Sequence, residues 1–550
     1  MPVTLAIALA QLPARMGDLA ANADAILAAR ASVPDADLVV TPELGLVGYP
    51  PEDLVLKPAL LEACAAKLVD LARATGDGGP ALLVGLPIVR DSRRLNAVAL
   101  LQGGALTGIT AKVDLPNYGP FDEKRVFEAG PSPEPLELNG VRLGVPICED
   151  MWFPPVCARL KSRGADLLLS PNGSPFQLGK DADRIARARA RVDETGLAMA
   201  YLNRVGGQDE LVFDGSSFVV NPGEAPCVTL PDWEAATVLT RWTRGKQGWR
   251  CASQPATARA DELADIYQAM QMGLRDYVTA NGFPGVVLGL SGGVDSALSA
   301  AVAVDALGPD RVWCVMLPSR FTSADSLEDA AACARLLGCK LDTISIAPAM
   351  EAFDAMLASS FGGGARDLAE ENIQSRARAV ILMGLSNKFG PMLLTTGNKS
   401  EMSVGYTTIY GDLAGGFSVL KDVYKTTVFK LCHWRNAHVP RGAFGPDGMV
   451  VPSRVIDKPP TAELRENQRD DDSLPPYTEL DAILIALVEE ERSAADVTLA
   501  GHDFATVARV ERLLYGAEYK RRQAPPGVKI GPRSFGRDRR YPISNAFRTS

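Results

Sequence analysis

Val286-Val287-Leu288-Gly289-Leu290-Ser291-Gly292-Gly293-Val294-Asp295-Ser296 sets an apolar run directly against a glycine-rich turn with hydrogen-bonding side chains. A buried strand, a tight turn and a helix read from that order. Such a turn aims backbone N–H groups and the positive helix end at one point, which makes an anion cradle. No Lys-Ser/Thr closes it, so it is not the GxxxxGK[ST] loop of ordinary NTPases. Outward from it, a helix is expected over 261–281, strands over 312–317, 341–346 and 392–395, and a helix over 326–337. That alternation specifies a parallel, doubly wound sheet, whose ligands sit at the carboxyl ends of its strands.

With 550 residues the chain is too long for one core. Its first half alternates independently. Strands are expected over 4–10, 38–41, 81–86, 96–101, 106–112, 142–148, 166–170 and 199–203, and helices over 18–31, 60–74, 156–163 and 181–195. This defines a layered α/β domain over 1–245. A polar stretch over 246–260 is expected to connect it to a second domain over 261–550.

Composition narrows the function. The chain is 47% hydrophobic and 22% charged, with net charge -9, and its pI is near 5.2. An acidic balance argues against nucleic acid as a partner. No apolar run reaches the roughly 18 residues of a membrane helix. Nine cysteines without a CxxC pair point to reduced thiols in the cytoplasm. The three histidines are His433, His438 and His502. Cysteine-histidine devices and histidine metal sites are therefore excluded from the first half.

That half can still split an amide. Glu43, Lys112 and Cys148 stand at the ends of expected strands, which can bring them to one rim. A thiol becomes a nucleophile when a base takes its proton and a cation stabilises the anion. Glu43 can serve as that base and Lys112 as that cation. Pro42-Glu43, KVDLPNYGPFDEKRVFEAG over 112–130 and GVPICEDMW over 144–152 together resemble the nitrilase, or carbon-nitrogen hydrolase, superfamily over about residues 1–245. The resemblance implies a nitrilase-like αββα sandwich. It also implies that Glu123 positions the lysine or substrate, and that Tyr118, Ser174 and Lys180 bind glutamine.

The string Ser291–Ser296 resembles the signature of ATP pyrophosphatases, of the adenine nucleotide α-hydrolase type. These enzymes cleave ATP to AMP and pyrophosphate and leave an adenylated carbon. LTTGNKSE over 394–401, YGD over 410–412 with GGFSVLKDVYKT over 415–426, and KPPTAEL over 458–464 extend the likeness. Taken together, nearly the whole chain resembles the glutamine-dependent NAD synthetase family. GMP and asparagine synthetases share the loop but use other glutaminase domains. The resemblance implies that Gly289, Leu290, Ser291, Gly292, Gly293, Val294, Asp295, Ser296, Thr396 and Lys421 bind ATP. It assigns Asn372, Glu401 and Lys520 to deamido-NAD, and Asp295 and Glu401 to Mg²⁺, which favours carboxylate and phosphate oxygens. The implied reaction converts deamido-NAD, ATP, L-glutamine and water to NAD, AMP, pyrophosphate and glutamate, in a homo-oligomer that channels ammonia. A different amidoligase and a nitrogen sensor that binds ATP and glutamine without turning them over are the alternatives; a pyrophosphate-release assay separates them.

Overall fold

The computed structural model describes residues 3–549 apart from 256, 258, 260 and 467. It divides into two compact units, Met1–Ala260 and Asp261–Ser550.

The first unit is built from two sheets. One has seven strands in the order 248–251, 236–245, 4–11, 38–40, 81–90, 93–102, 105–111; the other has six, in the order 226–229, 218–220, 199–203, 167–172, 141–144, 136–138. Their inner faces meet in one apolar core that includes Leu5, Ile7, Leu9 and Leu83 from one sheet and Leu143, Leu167, Leu169 and Leu202 from the other. Strand periodicity sends the alternate residues outward. Ala8, Ala10, Leu82 and Val84 pack under the helices Leu19–Ala31 and Pro58–Ala74. Leu168, Met199 and Tyr201 pack under Pro154–Ser162 and Lys180–Thr195. The expected αββα sandwich is formed.

Two local expectations change. The stretch 246–260 opens as a strand, Gly248–Cys251, paired antiparallel with Ala236–Gly245. Trp249 and Cys251 point into the core, so its polar composition hid an alternating strand; residues 256, 258 and 260 of that stretch lie outside the described residues. The strand expected over 142–148 ends at Gly144. Pro146 has no N–H to extend the ladder, and Cys148 instead opens the turn Cys148–Met151 with φ 48.

The second unit carries a five-stranded parallel sheet in the order 340–343, 312–316, 286–289, 392–395, 417–418. Strands 312–316 and 340–343 are added on one side of Val286–Gly289 and Met392–Thr395 on the other, which puts the topological switch point beside the glycine turn. The preceding helix, Glu262–Ala280, starts where Asp261 accepts the N–H of Ala264 at 2.8 Å, a side-chain N-cap. Among the described residues no helix is long and apolar enough to cross a membrane.

Candidate active sites

In the first unit, Glu43 follows the strand Leu38–Val40 and Lys112 follows Ala105–Ala111. Two antiparallel steps, 81–90 to 93–102 to 105–111, return the chain to the direction of 38–40. Both residues therefore reach the same rim. Lys112 Nζ donates to Glu43 Oε1 and to Glu123 Oε1, both at 2.7 Å. Asn96 Nδ2 donates to Glu43 Oε1 at 2.7 Å, the Gly173 N–H to Glu43 Oε2 at 2.8 Å, and the Tyr49 hydroxyl to Glu123 Oε1 at 2.8 Å. The cluster is sealed: Glu43 is 1% exposed, Lys112 0%, Glu123 4% and Cys148 4%.

Burial opposes the Lys112 ammonium, yet Glu123 and then Glu43 outweigh it and hold its pKa well above the usual lysine value. Lys112 is thus a fixed positive charge. Burial and the charge of Glu43 push the Cys148 thiol well up, while Lys112 and the Gly173 N–H oppose them. The resting nucleophile is a thiol, so its activation requires a base in contact with it. Asp150 joins the pieces: its Oδ2 accepts the Ile147 N–H at 2.9 Å, and its Oδ1 accepts those of Val113 and Asp114 at 2.9 and 2.7 Å. One buried carboxylate thereby ties the cysteine turn to the segment after Lys112. Gly173 must lack a side chain, since a Cβ there would lie 2.9 Å from the Tyr49 ring and 3.2 Å from Glu43 Oε2.

The polar end of the site is only partly as expected. Tyr118, half-exposed, donates to Glu149 Oε1 and Oε2 at 2.9 and 3.0 Å. Lys180 opens its helix with its ammonium 5.5 Å from the Phe121 ring centroid, and its charge acts on Glu149. A carboxylate and an ammonium thus flank the cysteine turn. Ser174 is buried, and its Oγ accepts from Arg184 Nε at 3.1 Å; Arg184 is in turn held by Asp214 at 2.8 Å. Sequence reasoning missed Tyr49, Asn96, Glu149 and Gly173. Only Glu149 carried a local signal, since it adjoins the cysteine.

In the second unit a cavity of about 480 Å³ brings together Gly289, Leu290, Ser291, Gly293, Val294, Asp295, Ser296, Asn372, Thr396, Glu401 and Lys520, and is lined also by Lys425 and Lys458. The glycine turn is internally braced: the Ser291 N–H donates to Ser296 Oγ and the Gly293 N–H to Ser291 Oγ, both at 3.2 Å. Gly292, at φ 81, turns its back on the cavity, and any Cβ would press into the Ser326 carbonyl. Lys421 does not line the cavity. It is buried, with Nζ donating to the Pro525 carbonyl at 2.8 Å. Lys425, the first residue of the helix Lys425–Ala437, takes the place expected for it, bound to Asp295 and, at 3.4 Å, to Glu401. Asn372 Oδ1 accepts from the Thr408 hydroxyl at 2.9 Å, and Lys520 Nζ donates to the Gly405 and Thr407 carbonyls, each at 2.7 Å.

The donor set suits a hard divalent cation only in part. Burial and then Asp295 push the Glu401 carboxyl up to about 8, with Lys425 opposing. The Lys425 ammonium already stands on both carboxylates, so a Mg²⁺ ion would share them with it. No cluster of three or more His, Cys, Asp or Glu able to hold a metal occurs among the described residues, so phosphate oxygens or water must complete any Mg²⁺ shell.

A family model described as carbon-nitrogen hydrolase matches residues 6–244, and one described as NAD synthase matches 266–524. The chain is 51% identical over 544 residues to the glutamine-dependent NAD(+) synthetase of Rhodobacter capsulatus, covering 98% of each. It is 40% identical over 581 residues to that of Thermotoga maritima, covering 99% of each. Among solved structures, the glutamine-dependent NAD+ synthetase of Acinetobacter baumannii in complex with ADP is similar at TM-score 0.77 and 40% identity over 98% of each chain. One from Cytophaga hutchinsonii shares the fold at TM-score 0.83 and 22% identity, over 99% of this chain and 98% of that one.

Proposed function

The chain belongs to the glutamine-dependent NAD(+) synthetases, and we propose that it adenylates the carboxylate of deamido-NAD with ATP and amidates it with ammonia released from glutamine. The products are NAD, AMP, pyrophosphate and glutamate. The observation that carries this reading is the buried Glu43–Lys112–Glu123 ion cluster beside Cys148, in a chain whose other unit holds a glycine-turn cavity.

In the first half, residues 1–245, Cys148 attacks the side-chain carbonyl of glutamine. Glu43 takes the thiol proton, because the raised thiol does not ionise unaided. Lys112 stabilises the oxygen that gains negative charge. Glu43 then passes its proton to the departing ammonia, and a water activated by the same carboxylate frees glutamate from the thioester. Glu123 and Tyr49 keep Lys112 aimed. Glu149 and Lys180 supply charges opposite to the α-ammonium and α-carboxylate of glutamine, with Tyr118 and Ser174 beside them.

In the second half, residues 261–550, the carboxylate of deamido-NAD attacks the α-phosphorus of ATP and pyrophosphate leaves. Ammonia then attacks the adenylated carbon and AMP leaves. Loop N–H groups and Lys425 take up phosphate charge. Asn372 and Lys520 contact the dinucleotide, and Thr396 the ATP. Asp295 and Glu401 would hold Mg²⁺, which when bound neutralises phosphate charge. A cytoplasmic homo-oligomer is the setting this reading implies; light scattering of the purified protein tests the assembly.

The deciding experiment compares nitrogen sources. With Cys148→Ala, NAD formation from glutamine should vanish while formation from ammonium persists. With Asp295→Ala both should vanish, pyrophosphate release included. Equal loss from both sources in Cys148→Ala would refute the assignment.

A further inference from the structure

We propose that Arg378 binds a phosphate oxygen of a substrate in the second-unit cavity, a role that rests on reading that cavity as the nucleotide site. Four cationic side chains line it: Arg378, Lys425, Lys458 and Lys520. Three are committed. Lys425 is bound to Asp295 and Glu401, Lys458 Nζ lies 3.0 Å from Asp329 and 3.2 Å from Ser326 Oγ, and Lys520 caps two carbonyls. Arg378, on the helix Leu368–Phe389, donates only its Nε, to the Leu317 carbonyl at 3.0 Å. Among the described residues it forms no ion pair, so its Nη groups are unspent.

A structural arginine in this unit looks different. Arg435 is fully buried and grips Asp305 through Nε and Nη2 at 2.7 and 2.9 Å, with the Pro446 carbonyl beneath. Arg378 has no such counter-charge. Burial pulls its guanidinium below the usual arginine value, and Glu463 and Asp412 offset this only in part. Both carboxylates are already engaged. Glu463 Oε1 accepts the Ser323 and Ser326 hydroxyls, each at 2.8 Å, and Asp412 Oδ1 accepts the Thr408 N–H at 2.8 Å and the Ser375 hydroxyl at 2.9 Å. A partly desolvated cation whose Nη groups lack a counter-charge is costly in the empty protein, and an arriving anion removes that cost.

Its location fits the same ligand. Leu317 follows the strand Val312–Met316, which pairs with Val286–Gly289 directly ahead of the glycine turn. Ser326, whose carbonyl backs Gly292, donates its hydroxyl to the Glu463 that faces Arg378. The guanidinium therefore stands over the carboxyl ends of the central strands, where the phosphates are cradled. Its planar donors match a phosphate better than an ammonium does. Two sources could present that phosphate, the triphosphate of ATP or the pyrophosphate of deamido-NAD.

The test uses the full-length protein with ammonium as the nitrogen source, so that the glutaminase half is not read. Arg378→Gln should raise the KM for one of the two substrates about ten- to a hundredfold, and the substrate affected identifies the source. Arg378→Lys should recover part of that loss. The thermal midpoint of ligand-free Arg378→Gln should equal or exceed that of wild type, while the upward shift caused by the affected ligand shrinks. Both KM values within about threefold of wild type, or a lower ligand-free midpoint with full ligand shifts, overturn the proposal. If the glutamine variant does not fold, the same readings on Arg378→Lys decide. Absence of any ligand shift in wild type would instead overturn the reading of the cavity.

Discussion

The two candidate sites solve opposite problems. In the first unit Glu43, Lys112, Glu123 and Cys148 are buried, and the charged ones are hydrogen-bonded before substrate arrives; Lys112 alone holds Glu43 and Glu123 at 2.7 Å each. In the second unit a cavity of about 480 Å³ is lined by cations and carboxylates that neutralise one another across it. Covalent catalysis needs a nucleophile, a base and an oxyanion partner fixed to within fractions of an ångström. Capture of polyanions needs room and exchangeable charge. One site is therefore rigid through its side chains and the other through its backbone turn.

The sharpest way to break the contrast is removal of the thiol. Cys148→Ala should lower glutamine-supported NAD formation at least about a thousandfold, with ammonium-supported formation unchanged in the same preparation. Next comes the lysine. Lys112→Met leaves two carboxylates buried without their cation, so it should cost about 3–5 kcal/mol of stability as well as about a hundredfold or more in glutamine hydrolysis. Denaturant unfolding beside a glutaminase assay separates the two effects. Gly173→Ala should cost about 1–3 kcal/mol by overpacking. The new methyl meets the Tyr49 ring and the oxygen of Glu43, so the turnover number for glutamine should fall more than its KM changes.

The open site predicts a pH effect instead. In the folded protein Glu401 keeps its proton from its ordinary 4.5 up to about 8, a range in which the unfolded chain has lost it. Its folded pKa is raised, so the folded state binds more protons there, and this contribution to stability declines as pH rises through that window. A divalent cation that takes the carboxylate must displace the proton. Apparent Mg²⁺ affinity in the presence of ATP should rise with pH, by up to about tenfold per unit, and level off above about 8. Calorimetry in two buffers of different ionisation enthalpy would detect the released proton; no proton release at pH 7 would contradict this coupling.

Legibility in the sequence followed the range of the interactions. Apolar runs before sharp turns were readable, because Val286–Gly289 and Leu38–Val40 are buried on both faces and interrupted by glycine or proline. The rim shared by Glu43 and Lys112 followed from strand order. Tyr49, Asn96 and Gly173 were invisible, since their value arises from contacts with residues 43 and 123, as many as 130 positions away. Gly248–Cys251 read as a connector because only two of its residues, Trp249 and Cys251, reach the core.

The smallest effect concerns Lys421 and Lys425, which stand four positions apart in one string. The resemblance assigns only the first to ATP. The fold separates them at the start of a helix: Lys425 opens Lys425–Ala437 and faces Asp295, whereas Lys421 precedes it and is turned to the Pro525 carbonyl. Lys421→Met should therefore cost about 1 kcal/mol of stability, the worth of its hydrogen bond, and leave the KM for ATP within about twofold. Lys425→Met should raise that KM strongly while leaving glutamine hydrolysis in the first unit intact. If Lys421→Met were the one to lose ATP, the side chain would have to leave Pro525 on binding, and the backbone-built site would be less rigid than its ligand-free geometry.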